Sequence, residues 1–253
     1  MQQEYPILEF DSNPQAVIEP QRIIEPIEIP EHAVVCFFQD VITRLVQKHQ
    51  AKVIKHLKSE IGKHPVYEFE FEGKRLAVFH PGVGAPLAAA MLEEVIALGC
   101  RKFIACGGAG VLNSEIAVGQ VVVPLSAIRD EGTSYHYLPP GREVSASLEG
   151  VAAIETVLKA HNCDYIVSKT WTTDAVYRET PAKIERRKAE GCAVVEMEAA
   201  AFFAVAQFRG VKFAQLLYGG DDVSSEKWDE REWNTHSARE KLFLFAAEAC
   251  LIL

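Results

Sequence analysis

The chain has 253 residues, 49% apolar and 24% charged, which suits one large globular domain with a sizeable core better than two small ones. A formal net charge of −9 argues against a nucleic-acid backbone or an anionic membrane as the main partner and favours a small-molecule ligand. The six cysteines contain no C-x-x-C pair and lie mostly in apolar surroundings, so they read as reduced core thiols of a cytoplasmic chain rather than metal ligands or a disulfide framework. The opening Met1–Pro6 lacks the basic start and apolar run of a signal peptide, and no apolar stretch is long enough to cross a bilayer; a soluble chain is expected.

Residues 1–32 carry prolines at 6, 14, 20, 26 and 30, which excludes a helix and predicts an extended arm lying over the domain or a partner subunit. From Ala33 onward, β-rich apolar runs alternate with helical periodicity, the pattern of an α/β sheet. Strands are expected at 33–38, 66–71, 75–80, 102–106, 120–123 and 213–217. Helices are expected at 41–46 and 242–247, and between the third and fourth strands, where Leu87, Met91, Val95 and Leu98 recur at spacings of three and four ahead of Gly99. Glu72-Gly73 is a hairpin turn, so the middle of the chain reads as a hairpin followed by a βαβ unit.

Three strands run into glycine: Pro81-Gly82-Val83-Gly84, Gly107-Gly108-Ala109-Gly110 and Gly219-Gly220-Asp221-Asp222. Ligands of open α/β sheets bind at the carboxyl ends of the strands, and glycine permits close backbone approach, so the three are expected as loops lining one pocket. Tight packing is the alternative reason for each. None matches the dinucleotide fingerprint or the phosphate loop of nucleoside triphosphatases.

At Val194-Val195-Glu196-Met197-Glu198-Ala199-Ala200, two carboxylates straddle a methionine where a short apolar strand turns into a helix. One glutamate here can accept hydrogen bonds from the two adjacent hydroxyls of a ribose while the methionine packs on the ring. Both acids would also suit the positive end of the helix, without any ligand.

In order and spacing these segments resemble the nucleoside phosphorylase family, which includes purine nucleoside phosphorylase, uridine phosphorylase and the methylthioadenosine and adenosylhomocysteine nucleosidases. The resemblance runs from about Ala33 to the C-terminus and rests on 195–200, 103–110, Ala127-Ile128-Arg129-Asp130-Glu131-Gly132-Thr133-Ser134-Tyr135 and Thr173-Asp174-Ala175-Val176-Tyr177. It implies a single-domain, three-layer α/β sandwich over residues 33–253 with a mixed, partly barrel-like central sheet. It also implies cleavage of the bond between a nucleobase and C1′ of the sugar, with no cofactor. Phosphate is the co-substrate if the reaction is phosphorolytic. The family's pocket is completed across a dimer interface, so a homo-oligomer is expected, a dimer or a hexamer built as a trimer of dimers.

By the same resemblance Glu198 and Met197 hold the ribose with Glu196 beside them, Val176 and Tyr177 border the base, Gly107 and Gly108 line the pocket, and Asp221 takes the place of the aspartate that donates a proton to a purine. If Asp222 closely approaches Asp221, like-charge repulsion would raise the pKa of Asp221. The uracil-reading glutamine and arginine are replaced by Thr180 and Ala182, which favours a purine.

The departures concern the nucleophile. The family's Gly-Asp-Pro-x-Arg phosphate loop follows the first strand, and here that stretch reads Cys36-Phe37-Phe38-Gln39-Asp40-Val41, while Ala105 stands where a second phosphate arginine would be. Asp40 falls where hydrolytic members carry a glutamate, so it is a candidate to activate water, or simply an acid at a helix start. Lys63, His64, His80 and Arg178 are the remaining candidates for phosphate. No histidine shows metal-ligand spacing, so no metal is expected. Residues 223–240, with Trp228 and Trp233, read as a lid over the base or a surface connection. A non-catalytic nucleoside-binding protein is the competing reading, against which Asp221 speaks, because a binder needs no proton donor.

Overall fold

The computed structural model describes residues 3–231 and 236–253. The proline-rich segment holds a single helical turn, α1 (Pro20–Ile23), and one 3-10 turn at Pro6–Leu8, where the sequence excludes a helix. Each begins at a proline, whose missing N–H costs nothing in a first turn. The domain then runs through β1 (His32–Cys36), α2 (Gln39–His49), β2 (Lys52–Ser59), β3 (Gly62–Phe71), β4 (Lys74–Phe79), α3 (Ala85–Leu98), β5 (Lys102–Val111), β6 (Val121–Asp130), β7 (Glu143–Ser145), α4 (Leu148–Ala160), β8 (Tyr165–Thr173), α5 (Pro181–Ala189), β9 (Cys192–Glu196), α6 (Ala199–Arg209), β10 (Lys212–Asp222) and α7 (His236–Ile252).

The hairpin and the βαβ unit lie where the sequence places them. Glu72 and Gly73 both have positive φ, the two-residue turn that matches strand twist, and β3 pairs with β4 from Val66–Phe79 to Phe71–Lys74. Strands β4 and β5 lie parallel on either side of β1, with α3 as the crossover. Within α3, Met91, Val95 and Leu98 are buried, and Gly99 ends the helix at φ 135.

Beyond this open half the sheet closes on itself. β5 pairs with β10, β10 with β6, β6 with β8, β8 with β9 and β9 again with β5, a five-stranded barrel fused to the open strands. Closure gives two of the glycine segments another reason to exist. Gly107–Gly110 and Gly219–Gly220 are not loops but barrel strands, since β5 and β10 run parallel through them, with a register shift between Gly219 and Asp222. A Cβ on Gly108 would come within 3.2 Å of the Tyr218 ring, one on Gly110 within 3.1 Å of Val195, and one on Gly219 within 2.9 Å of Ile116. Only Pro81–Gly84 forms a loop. Helix α3 packs on α6, and α4 on α7, covering the two sides of the sheet. The core runs through β1, β4, β5 and β10, where Phe103, Phe213 and Phe202 stack.

The segment ahead of β1 is tied along the amino ends of the strands. Ile27 N–H donates to Leu98 C=O, and the N–H groups of Arg101 and Lys102 both donate to Glu31 C=O. Arg209 holds Glu19 at 2.8 Å and Glu93 at 2.6 Å, with all three side chains nearly sealed from solvent. Among the described residues no helix is long and apolar enough to cross a membrane.

Candidate active site

The carboxyl ends of β8, β9 and β10 and the loop after β4 carry two groups of acids, Glu196 with Glu198 and Glu179 with Asp221, and neither Glu196, Met197 nor Glu198 lines the cavity around Asp221. At the end of β9, Glu196 is spent on the fold. Its Oε2 accepts the N–H groups of Glu198 (2.7 Å) and Ala199 (2.6 Å), and its Oε1 accepts the hydroxyls of Thr172 (2.6 Å) and Thr170 (3.2 Å). Thr172 Oγ1 in turn accepts Ala200 N–H at 3.0 Å, so the first donors of α6 are satisfied from β8 and β9. Glu196 therefore caps the helix, and its acceptors are not left for the ribose with which sequence grouped it. Burial pushes its pKa up, and these four donors pull back towards the ionised form.

Two residues on, Glu198 faces differently. Its Oε1 accepts Gly84 N–H at 2.6 Å, which ties the β4 loop to the start of α6. Gly84 sits at φ 90, open only to glycine without strain. Buried to 5% exposure, Glu198 is pushed well above the carboxylate range, first by desolvation and then by the charge on Glu196. With four donors on Glu196 and one backbone bond on its Oε1, Glu198 is the member of the pair that holds a proton. Met197, between them, is half-buried.

A cavity of about 530 Å³ opens beside the end of β10, lined by Val176, Tyr177, Glu179, Asp221, Val223 and Trp228 among others. Three residues singled out by sequence, Val176, Tyr177 and Asp221, thus meet in one space. Tyr177 is 96% exposed and forms its open rim. Asp221 accepts the Trp228 indole N–H at 2.7 Å, so the segment after β10 does reach the cavity. Trp233, the other tryptophan of that segment, lies outside the described residues.

Asp222 does not line that cavity. The β10–β5 register shifts between Gly219 and Asp222, and the two acids find different partners. Asp222 Oδ1 accepts Ser224 N–H at 2.7 Å and its Oδ2 lies 3.7 Å from Arg231. The acid that shares the cavity with Asp221 is Glu179, which sequence reasoning passed over. Burial and then the charge of Asp221 push its carboxyl up to about 7. A carboxylate two residues beyond Tyr177 was the available signal.

Near the phosphate position the geometry differs from expectation. Asp40, in the first turn of α2, is held between Arg44 at 3.0 Å and Arg239 at 3.2 Å. An acid clamped by two guanidiniums is a poor base, so the water-activating role loses its support. Arg44 also pairs with Glu240 at 2.7 Å, and Arg239 lies 3.3 Å from the Tyr218 hydroxyl. Ala105 is fully buried. Phe37 fills the neighbourhood of Gly107, where a Cβ would meet its ring at 3.1 Å, and Gly108 faces Tyr218. His80 accepts Gly82 N–H through Nδ1 (3.0 Å), which leaves Nε2–H to donate to Phe37 C=O (3.2 Å); burial lowers its pKa. It is a neutral clamp, with both nitrogens used. His64 bonds to Ser59, while Lys63 and Arg178 are exposed. Asp130, from the resembling segment 127–135, is bound by Lys183, Arg187 and Trp171 Nε1 at 3.0–3.1 Å. Among the described residues no group of three metal-ligating side chains gathers.

A family model described as the phosphorylase superfamily matches residues 31–251. The chain is 29% identical over 178 residues to the guanosine phosphorylase of Halorubrum lacusprofundi, covering 66% of this chain and 72% of that protein. To the uridine phosphorylase of Haemophilus influenzae it is 30% identical over 105 residues, 42% of each chain, so the matched stretch spans less than half of that relative. The solved uridine phosphorylase from Vibrio fischeri superposes with a TM-score of 0.76 at 20% identity, over 91% of this chain and 95% of that one. An AMP nucleosidase from Bacteroides thetaiotaomicron superposes with a TM-score of 0.75 at 20% identity, over 92% and 96%. Matched over nearly its whole domain, the chain belongs to the phosphorylase superfamily.

Proposed function

We propose that the protein cleaves the N-glycosidic bond of a purine nucleoside and releases the free base. The observation that carries this reading is the convergence of Val176, Tyr177 and Asp221 on one 530 Å³ cavity. Cleavage builds positive charge on the sugar and negative charge on the departing base, so the base needs a hydrogen-bonding acid and the sugar a firm grip. Asp221 faces the base between Val176, Tyr177 and Trp228. Glu198 takes the ribose hydroxyls: two adjacent O–H donors at its carboxyl favour the ionised form and so release the proton that burial retains in the empty site. Met197 packs on the sugar. Glu196 serves by holding the turn that presents Glu198. The purine preference draws on the absence of an amide or arginine at Thr180 and Ala182 and on the likeness to a guanosine phosphorylase.

A second reading, hydrolysis, is favoured by one observation. The two arginines near the α2 start are bound to Asp40 and Glu240, and Ala105 is sealed in the core, so the phosphate grip expected of phosphorolytic relatives has no counterpart there. Incubating the full chain with a panel of nucleosides, with and without phosphate, tests both. Purine release is expected; release that needs phosphate would overturn hydrolysis, and tight binding with no release would replace the enzyme by a binding protein. Five of the six unpaired cysteines are buried, which supports a reducing compartment such as the cytoplasm. A homo-oligomer, with the β2–β3 hairpin carrying Lys63 and His64 at a subunit contact, completes the reading and is checked by light scattering.

A further inference from the structure

We propose that His80 is a positioning residue for the ribose grip: by taking the Gly82 N–H it sets the loop after β4 so that Gly84 holds Glu198 in place for the sugar. The inference rests on the reading of Glu198 as the ribose ligand and goes beyond it to the residue that places that carboxyl. Residues His80–Gly84 connect β4 to α3, and two N–H groups of this loop are taken by side chains. Gly82 N–H donates to His80 Nδ1 at 3.0 Å, and Gly84 N–H donates to Glu198 Oε1 at 2.6 Å. The other N–H that favours ionised Glu198, that of Met197, comes from its own turn, so Gly84 is what fixes the carboxyl from outside.

A loop of this composition needs an anchor. Gly82 and Gly84 lie at φ 82 and 90, and glycine has the most conformational freedom to lose on being ordered. Val83 between them is 65% exposed and packs on little. His80 supplies the anchor from the end of β4. Its Nε2–H donates to Phe37 C=O at 3.2 Å, and Phe37 N–H donates to Cys106 C=O at 3.1 Å, so the imidazole is tied through the end of β1 to β5. The Phe37 ring meets His80 edge-on at 5.9 Å and leans on Phe202 of α6 at 6.2 Å, the helix whose first turn Glu198 precedes. One imidazole thus joins the strand ends, the glycine loop and the helix that presents the carboxyl.

The two nitrogens have separate duties. Nδ1 accepts only while Nε2 carries the proton and the ring is neutral. Burial holds the pKa of His80 below its ordinary value, against the pull of the Phe37 carbonyl, and so keeps that form. The Nδ1 bond is the one that reaches the loop, and its loss frees Gly84 to leave Glu198. Misplacing Glu198 is felt most by a substrate that carries both hydroxyls.

The test measures kcat/KM in the full chain, with phosphate present, for guanosine and adenosine, each against its 2′-deoxy counterpart. It is run on the parent, His80→Asn, His80→Gln and His80→Ala. The ribo-to-deoxy ratio is compared between proteins, so the greater intrinsic lability of the deoxy bond cancels, and a plain loss of folded protein lowers both substrates alike. Asparagine keeps an acceptor near the place of Nδ1, whereas glutamine keeps only a donor near Nε2 and alanine keeps neither. The ratio is expected to fall about tenfold in H80Q and H80A, the scale of one hydrogen bond to a charged group, and to stay within about threefold of the parent in H80N. An unchanged ratio in H80Q and H80A, or an equal fall in H80N, overturns the assignment, and H80A decides if H80Q folds poorly. Failure of the parent to release base from all four nucleosides would overturn the cleavage reading instead, and the same ratio, taken from binding affinities, would still decide the role of His80.

Discussion

Two populations of acid in this chain differ in what faces them, one paired with cations and the other not. At the amino ends, Glu19 and Glu93 share Arg209, and all three side chains are at most 11% exposed. At the carboxyl end of β6, Asp130 is likewise held by cations, Lys183 and Arg187, and its pKa is lowered although burial alone would raise it. At the carboxyl ends, Glu196 and Glu198 sit together, as do Glu179 and Asp221, and among the described residues no lysine or arginine forms an ion pair with any of the four. Charge is expensive to bury without a partner. The first population is folded into place by counter-ions. The second persists where counter-ions are missing, and raised pKa values at Glu179 and Glu198 are the result. Such acids mark a site of use more than a support of the fold.

The contrast breaks most sharply at Asp221. Asp221→Asn is expected to lower the rate of base release by about 10²–10⁴, the usual worth of a positioned acid, with little effect on stability. Arg209→Ala should do the reverse. It leaves two buried carboxylates without a cation and is expected to cost about 3–5 kcal/mol in urea unfolding, while the protein that remains folded keeps its turnover. A smaller effect is expected at the cap. Thr172→Val removes a donor to Glu196 and the acceptor of Ala200 N–H, for about 1–3 kcal/mol, and weakens ribose binding only through the displaced turn.

The stability change in Glu179→Gln depends on pH. A carboxyl raised from 4.5 to about 7 binds its proton more tightly when folded, so its contribution to stability falls as pH rises from 4.5 through 7. The glutamine variant should therefore match the parent near the lower limit and exceed its melting temperature above the upper one. A gap that shrinks with rising pH would contradict the raised titration.

Much of this was legible in the chain because the patterns were local. Alternation in Val66–Phe71 and the Glu72-Gly73 turn marked the hairpin, and the spacing of Met91, Val95 and Leu98 marked α3. Strand β2 was missed because Lys52–Ser59 lies in an exposed ribbon, with Leu57 its one fully buried residue and no apolar face to read. Gly107–Gly110 and Gly219–Gly220 looked like loops because barrel closure is not local: the reason for each glycine is a residue on another segment, Tyr218, Val195 or Ile116. The same error misplaced Asp222, which past the register shift after Gly219 is taken by Ser224 N–H and Arg231 while Asp221 takes Trp228. Glu198, Val176, Tyr177 and Asp221 were found as motifs, whereas Glu179 required knowing that the segment after β8 folds back over β10. Asp40 was legible as an acid at a helix start, but its two arginines were not, one of them arriving from α7.

The central claim is that the carboxyl-end acids form a nucleoside-cleaving site, and the most direct measurement is the release of base from a purine nucleoside by the parent and by Asp221→Asn, with nucleoside affinity measured alongside. The account predicts release by the parent, a loss of at least about a hundredfold in the variant, and affinity preserved within several-fold. A variant as fast as the parent, or a parent that binds the nucleoside and never releases its base, would contradict it.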